Sequence, residues 1–463
     1  MTHKVLIANR GEIAVRIVRA ARELGLQTVA VVSDADATSL VAQMADEVVN
    51  IGPPHPSKSY LNVDAILEAA QATCATMVHP GYGFLSENSA FARRVIQAGL
   101  IFVGPNPVTI ECMGNKSVAR ETAQRAGVPT VPGSIGTVDG VQMATRVAAE
   151  VGYPVMIKAS AGGGGRGIRV AYNEAELSQQ LPLAQSEARA AFGDDAVYLE
   201  RFIATARHIE VQVLGDGKNV IHCYERECSL QRRRQKIVEE APSPTLSQDT
   251  REALCESAVR LAAAVNYSGA GTLEFLYDDE SGEFFFIEMN TRIQVEHPVS
   301  ELVTGVDLVR EMIRIAMGEP LRYTQDQIVL KGAAIECRLN AEDPERNFMP
   351  NPGKLTALHW PGGPGVRVDS HVYAGYTIPP FYDSLLAKLI VWDEDRASAI
   401  GRMQRALAET RIDGVHSTVA FHQELLADPS VRSGHFHTGY VEQWMARRAE
   451  AKAQALLPDL TAH

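Results

Sequence analysis

The residues best equipped for chemistry are gathered in one stretch, Glu288-Met289-Asn290-Thr291-Arg292-Ile293-Gln294-Val295-Glu296-His297. Glu288 with Asn290 offers the oxygen ligands that Mg²⁺ takes alongside substrate phosphates. Arg292 offers a bidentate fork for a small planar oxyanion, and Glu296 is the candidate general base. A further carboxylate, Glu274, comes beside Glu288 if Gly271 to Tyr277 and Phe284 to Glu288 form a hairpin about Asp278 to Gly282. Two carboxylates on neighbouring strands repel unless cations lie between them, which argues for a metal site.

A second group of residues suits phosphate. A strand ending at Lys158 runs into Gly162 to Gly165, and a second strand leaves after Gly167. In so bare a loop the backbone N–H groups are free to wrap phosphate oxygens, with Lys158 adding a point charge. It is not a Walker A loop, because the lysine precedes the glycines and strands flank them. Val197 to Ile203 reads either as a strand presenting backbone groups and Glu200 to an adenine and ribose, or as a plain core strand. His208 to Val213 alternates polar with β-branched residues, a strand lining the same cleft. Gln231 to Lys236 places four cations in five positions, a positive lining for phosphate and carboxylate in an otherwise acidic chain.

Elements must hold these groups in place. An apolar run, Phe284 to Ile287, feeds the acidic stretch, so residues 284–297 read as a buried strand running out of the core. With a period of two, Glu288, Asn290, Arg292, Gln294 and Glu296 then share one face, and Met289, Thr291, Ile293 and Val295 the other. A solvated edge strand would carry lysines and long flexible charges instead. The first ~110 residues alternate apolar strands (Val5 to Ala8, Thr28 to Val32, Leu100 to Val103) with helices (Glu12 to Leu24, Asp64 to Gln71), a doubly wound α/β layer. Its first turn, Asn9-Arg10-Gly11-Glu12, has one glycine where a dinucleotide fingerprint needs three, so no dinucleotide site is expected. The loop from His79 to Asn88 leaves a strand end, where such sheets place ligands, though an ordinary Gly/Pro turn reads equally well. A helix from Ser117 to Ala126 and a turn-rich stretch to Gly133 open a second domain. From Gly332 to about Tyr440 short strands, including Ala333 to Asn340, Val366 to Asp369 and Leu386 to Trp392, and a helix from Ala397 to Glu409 make a β-rich third. The tail after Trp444 reads as a frayed helix and then disorder.

With 463 residues, 46% hydrophobic and 22% charged, the chain has material for two or three domains, and its net charge of -12 argues against nucleic acid or an anionic membrane as partner. Six cysteines without CxxC or zinc spacing are expected to be reduced thiols, which fits the cytoplasm. No apolar run approaches a membrane span, and the N-terminus lacks an export signal.

The glycine loop, Lys158, the paired acids and EMNTRIQVEHPV (288–299) together resemble the ATP-grasp ligases, and within them closely the biotin carboxylases. The likeness runs over about residues 3–445 and includes ANRGEIA (8–14), HPGYGFLSEN (79–88), KASAGGGGRG (158–167), ECRLNAED (336–343) and YDSLLAKL (382–389). It implies an α/β ATP-grasp fold with a Rossmann-like N-terminal domain at 1–114, an ATP-grasp domain at 115–330 with a mobile lid over about 132–203, a β-rich C-terminal domain at 331–445 and a flexible tail at 446–463. By resemblance Lys116, Lys158, Gly164, Gly165, Glu200, Arg201, Phe202, Ile203 and His208 hold ATP, and Glu274, Glu288 and Asn290 hold two Mg²⁺ or Mn²⁺ ions. Lys236, Arg292 and Val295 receive bicarbonate, Glu296 deprotonates it, and Arg338 with Tyr82 faces the biotin ring.

The implied chemistry is formation of carboxyphosphate and its breakdown to carboxylate biotin, the first half of acetyl-CoA carboxylase on the way to malonyl-CoA and fatty acids. Neither a Met-Lys-Met biotin site nor a carboxyltransferase domain occurs in the chain. Biotin is therefore expected on a separate carrier protein, with the carboxyltransferase as a further partner, and similar bacterial proteins imply a homodimer. Two positions depart from the family pattern. Arg234 stands where QRRHQK has histidine, and Asp413 to Thr418 differs from the usual G-[VI]-x-T-N. The competing readings are a biotin carboxylase subunit of another acyl-CoA or pyruvate carboxylase, a different ATP-grasp ligase, and a non-catalytic nucleotide-binding scaffold. A scaffold would be expected to have lost some of Glu274, Glu288, Arg292 or Glu296, and all four are present.

Overall fold

A computed structural model of the chain describes residues 3–134, 136–160 and 168–455. Strands β1 (Lys4–Ile7), β2 (Gln27–Val32), β3 (Glu47–Asn50), β4 (Met77–His79) and β5 (Ile101–Phe102) form a parallel sheet ordered β3-β2-β1-β4-β5. Runs such as Val5-Leu6-Ile7 are apolar at every position because a parallel strand is covered on both faces. Ile13 and Ile17 of the helix Gly11–Glu23 pack on one face, and Ile66 and Phe91 from two other helices on the opposite one. The order reverses between β1 and β4, and the crevice beyond their C-terminal ends receives the loop that starts at His79. The elements expected here are present, with bounds moved by one or two residues.

The three-stranded antiparallel sheet β7-β6-β8 is built from β6 (Val155–Ala159), β7 (Ile168–Ala171) and β8 (Val197–Arg201). Two helices absent from the sequence reading, Gly140–Val151 and Glu174–Phe192, cover it with Ala144, Ala148, Leu177 and Leu181. Strands do flank the glycine loop as expected; the loop itself, with Gly164 and Gly165, lies outside the described residues. Gly133 bridges to Glu200 where the chain enters this unit, and a Cβ there would sit 2.2 Å from the Leu199 carbonyl oxygen, so only glycine permits the approach.

The remaining long strands share one sheet. They are β9 (Ala206–Asp216), β10 (Val220–Arg232), β11 (Gln235–Ala241), β12 (Ser268–Asp278), β13 (Phe284–Asn290) and β14 (Ala333–Asn340). After two short pieces, β15 (Glu342–Asp343) paired with β16 (Met349–Pro350), and a third, β17 (Ala357–His359), come β18 (Val366–Ser370) and β19 (Leu385–Asp393). Their order is β13-β12-β9-β10-β11-β14-β19-β18, so the C-terminal strands extend the central sheet through the β11–β14 pair. β20 (Arg411–Asp413) pairs only with β17. The last helix, Tyr440–Ala455, carries on past Trp444, and residues beyond it lie outside the described set. All six cysteines are free thiols, four of them buried. Among the described residues no helix is long and apolar enough to cross a membrane.

One expectation fails in a way that matters for the site. The strand through residues 288–297 stops at Asn290, where β12 offers its last partner, Thr272. The Thr291 amide turns instead to Glu87 Oε1 at 3.0 Å, and a helix, His297–Thr304, begins with Pro298 in its first turn. Beyond Asn290 the alternation of polar and β-branched residues therefore belongs to a loop.

Candidate active site

The hairpin of β12 and β13 sets Glu274 opposite Glu288, as expected. On its other side Glu274 faces Glu210 of β9, which in turn faces Arg226 of β10. Three acids thus lie in a row across three strands and end on a buried arginine. All five N–H groups of Arg226 are used: Glu210 at 2.6 Å, Gln212 at 2.7 Å, Ser300 at 3.0 Å, Thr272 at 3.0 Å and Gln294 at 2.9 Å. Lys236 completes the neutralisation, donating to Glu210 at 2.5 Å, Glu274 at 2.9 Å and Glu296 at 2.7 Å.

These contacts set the charge states. Burial alone would raise the Glu274 carboxyl, but Lys236 and His208 outweigh it and hold Glu274 well below the usual range. Burial lowers His208, yet Glu274 and Glu210, 3.4 and 3.6 Å from its Nε2, bring it up to about 9 against the opposing charge of Lys236. Glu288 is raised, first by burial and then by Glu274, against the pull of Lys116, whose Nζ lies 3.7 Å from Oε2, and of His208.

The loop after Asn290 is fixed from three directions. Glu87, from the loop that follows β4, accepts from Arg292 Nε at 2.9 Å, while Asn290 Oδ1 accepts from Arg292 Nη2 at 2.9 Å. Lys388 of β19, wholly buried, donates to the Val295 carbonyl at 2.8 Å and lies 3.2 Å from Glu12, which in turn accepts from the Tyr82 hydroxyl. Glu296, almost fully buried, accepts from Lys236 on one oxygen and from Arg338 Nη2 at 3.0 Å on the other. Arg338 Nε donates to Glu239 at 2.6 Å.

Tyr82, His208, Lys236, Glu274, Glu288, Asn290, Arg292, Val295, Glu296 and Arg338 all line one cleft of about 1150 Å³. Of the other described candidates, Lys116 reaches Glu288 from beside the cleft, while Lys158, Glu200, Arg201, Phe202 and Ile203 do not line it. Lys158 pairs with Glu200, which also accepts from Arg120 at 2.7 Å. Arg201 is taken by Glu283 at 2.9 Å and by the face of Phe285, and Phe202 sits at the strand end, its amide donating to the Pro154 carbonyl, with Ile203 following it. Of the cationic run Lys236 joins the carboxylates of the cleft, whereas Arg232 stacks on Phe348 and binds Asn347, the Arg233 guanidinium donates to Asn347 while its backbone N–H donates to Glu442, and Arg234 lines the cleft.

Chemically, three cations suited to an anion (Lys236, Arg292 and Arg338) are each held by protein carboxylates, so an incoming oxyanion must exchange places with them. Glu274, Glu288 and the Asn290 carboxamide present only oxygen ligands, on adjacent strands, and the lifted Glu288 marks a charge deficit that a divalent cation fits. Sequence reasoning singled out the first contacts and missed their supports: Glu87, Glu210, Gln212, Arg226, Glu239 and Lys388. Lys388 carries a readable signal, a lone charge inside the apolar run Leu385 to Trp392.

Three family models cover the chain: "Biotin carboxylase, N-terminal domain" over residues 1–110, "Carbamoyl-phosphate synthase L chain, ATP binding domain" over 115–324 and "Biotin carboxylase C-terminal domain" over 336–443. A protein of Nostoc sp. named biotin carboxylase is 56% identical over 441 residues, 95% of this chain and 98% of that one. A pyruvate carboxylase subunit of Methanothermobacter thermautotrophicus is 52% identical over 445 residues, 96% of this chain and 90% of its own. Among solved structures, the biotin carboxylase domain dimer of the 2-oxoglutarate carboxylase of Hydrogenobacter thermophilus, in complex with MgADP, ADP and bicarbonate, superposes with a TM-score of 0.87 at 49% identity, covering 96% of this chain and 98% of that one.

Proposed function

The chain belongs to the biotin carboxylase family of ATP-grasp ligases, and from that premise we propose that it carboxylates biotin held on a separate carrier protein, as the first half-reaction of an acetyl-CoA carboxylase. The observation that carries this reading is the convergence of Glu296, Lys236, Arg292 and Arg338 on one cleft, beside the Glu274–Glu288 pair.

Bicarbonate would take the place of protein carboxylates on Lys236 and Arg292, against the Val295 backbone that Lys388 holds. Losing Lys236 leaves Glu296 with Arg338 alone and so better able to accept the bicarbonate proton. The resulting oxyanion attacks the γ-phosphate of ATP, with Lys116, Lys158 and His208 on the nucleotide side. Two Mg²⁺ or Mn²⁺ ions held by Glu274, Glu288 and Asn290 would supply charge neutralisation between the phosphates. Carboxyphosphate then yields CO₂ and a phosphate able to take the biotin N1′ proton, while Arg338 faces the ureido oxygen where negative charge grows. The β6–β8 unit, closing over the cleft, would keep water from the intermediate.

Purified protein is expected to release ADP from ATP only with both bicarbonate and Mg²⁺, and faster when free biotin is added. A coupled ADP assay checks this, and full-rate turnover without bicarbonate overturns the reading. Glu288→Gln withdraws a charged metal ligand while leaving Glu274 in place. The Mg²⁺ concentration for half-maximal rate should rise by roughly tenfold or more, since even groups one step removed from a ligand are worth about 10–100-fold in metal affinity. A Mg²⁺ titration reads this directly, and an unchanged midpoint removes Glu288 from the metal site.

A second reading, the biotin carboxylase component of a pyruvate carboxylase, is favoured by the relative from that enzyme at 52% identity. Identifying the biotinylated protein and carboxyltransferase that co-purify with the chain separates the two. We also propose a cytoplasmic homodimer, as in the Hydrogenobacter domain dimer. Sedimentation at micromolar concentration should give twice the chain mass, and a monomer counts against it.

A further inference from the structure

Below Arg338 the sheet holds a pair of acids that the chemistry above does not use. β11 and β14 place Glu239 directly opposite Glu336. Residues so paired share one face, their Cβ atoms roughly 4.5–5.5 Å apart. Both side chains are wholly buried. Of their four oxygens only Glu239 Oε1 has a partner, the Arg338 Nε; Glu239 Oε2 and both oxygens of Glu336 have none among the described residues.

Every charged neighbour is accounted for. Arg338 lies two residues along the same strand and is divided between Glu239 and Glu296. Lys388, opposite Arg338 on β19, is engaged by the Val295 carbonyl, Glu12 and Asp369. Lys236 is spent on Glu210, Glu274 and Glu296. His297, on the helix packed over this face, donates its Nδ1–H to the Gln294 carbonyl, and its Nε2 has no hydrogen-bond partner among the described residues. On its far side Glu336 adjoins the apolar cluster of Ala241, Val299, Val303, Ala334 and Ile390. Two ionised carboxylates on directly paired positions at this depth would repel each other, with no cation left unengaged among the described neighbours, and a buried acceptor without a donor is costly. Burial raises Glu336 well above the usual carboxylate range, and burial likewise brings Glu239 up to about 7 against the pull of Arg338.

We propose that Glu336 is a neutral carboxylic acid that donates its proton to Glu239, so that the pair carries one negative charge and orients the Arg338 guanidinium. Glu336 is then a positioning residue. With three ionised acids about it Arg338 would be held too tightly to turn toward a substrate; with one shared charge, Glu239 holds Nε and lies 2.6 Å from Nη2 as well, so the guanidinium can let go of Glu296 while staying anchored on Glu239. That Arg338 serves biotin rests on the function proposed above, whereas the protonation state does not.

Infrared spectroscopy of the full-length protein without ligands tests the proton by itself. Wild type minus Glu336→Gln should show a protonated-carboxyl C=O stretch that shifts in D₂O. Its absence, as two ionised carboxylates bridged by water would give, overturns the proposal whatever the enzyme carboxylates. The kinetic arm compares donors at position 336. Glu336→Gln keeps an N–H for Glu239 and should leave kcat/KM for free biotin within roughly threefold. Glu336→Leu removes the donor and should lower it about 10–100-fold, the range expected for a hydrogen bond to a charged group, with bicarbonate-dependent ATP cleavage in the absence of biotin unchanged. Equal losses in both variants, or none in Glu336→Leu, would also overturn it. Should Glu336→Leu fail to fold, the spectrum of Glu336→Gln still decides.

Discussion

Glu296→Gln is expected to cut ADP release by roughly 10²–10⁴, the worth of a positioned general base, while ATP affinity and folding survive. Gln keeps the volume of a side chain that is only 2% exposed, so no cavity is opened around it. What changes is basicity. Burial tends to raise the Glu296 carboxyl, but Lys236 and Arg338 outweigh it and hold it below the usual range, so the resting group is a poor base. On the proposed function it would become a better base as bicarbonate draws Lys236 away, and better again as biotin draws Arg338, which accords with the faster turnover expected when biotin is added. Equilibrium ATP binding together with steady-state turnover checks the separation; a variant that lost ATP affinity in step with rate would assign Glu296 a structural role.

Arg338→Ala separates the two halves of the reaction. Bicarbonate-dependent ATP cleavage without biotin should persist, and carboxybiotin formation should fall by roughly 10²–10³, as for removal of one donor to a developing oxyanion. The substitution also strips a partner from Glu239 and Glu296, so a stability loss of about 3–5 kcal/mol is expected from breaking a buried pair. A thermal melt must therefore accompany the assay, run well below the variant's midpoint. If Glu288→Gln, Glu296→Gln and Arg338→Ala all lost ATP cleavage alike at unchanged ATP affinity, the division of labour along the cleft would be wrong.

The legible parts of this site were local. The pairing of Glu274 with Glu288 follows from two apolar runs around a short polar turn, and the structure has that register. The alternation from Glu288 to Glu296 is real as a pattern, but a pattern does not say where a strand leaves its neighbour; β12 runs on to Ser268 beside β9, while Thr291 turns away and Glu87, some two hundred residues earlier, takes its amide. The supports share this character. Glu210 and Gln212 belong to the same alternating strand as His208, yet their reason for being there is Arg226, whose five bonds reach Thr272, Gln294 and Ser300. Likewise Glu12 and Lys388 sit in motifs far apart in the chain and meet beneath Val295. Contacts fixed by tertiary folding leave little periodic trace in sequence, whereas hairpins and apolar runs do.

The unbroken hydrogen-bond ladder from β13 to β18 bears on how the protein comes into being. Family boundaries leave a gap at residues 325–335, but β14 pairs with β11 on the far side of it. A nascent chain paused at that gap would present β11 as a bare edge, a template for pairing with another chain. Once residues through Asn340 have emerged β14 can cover that edge, and β19 and β18 extend the sheet after it. A recombinant piece ending near residue 330 would therefore carry an open edge along β11, the strand that bears Lys236.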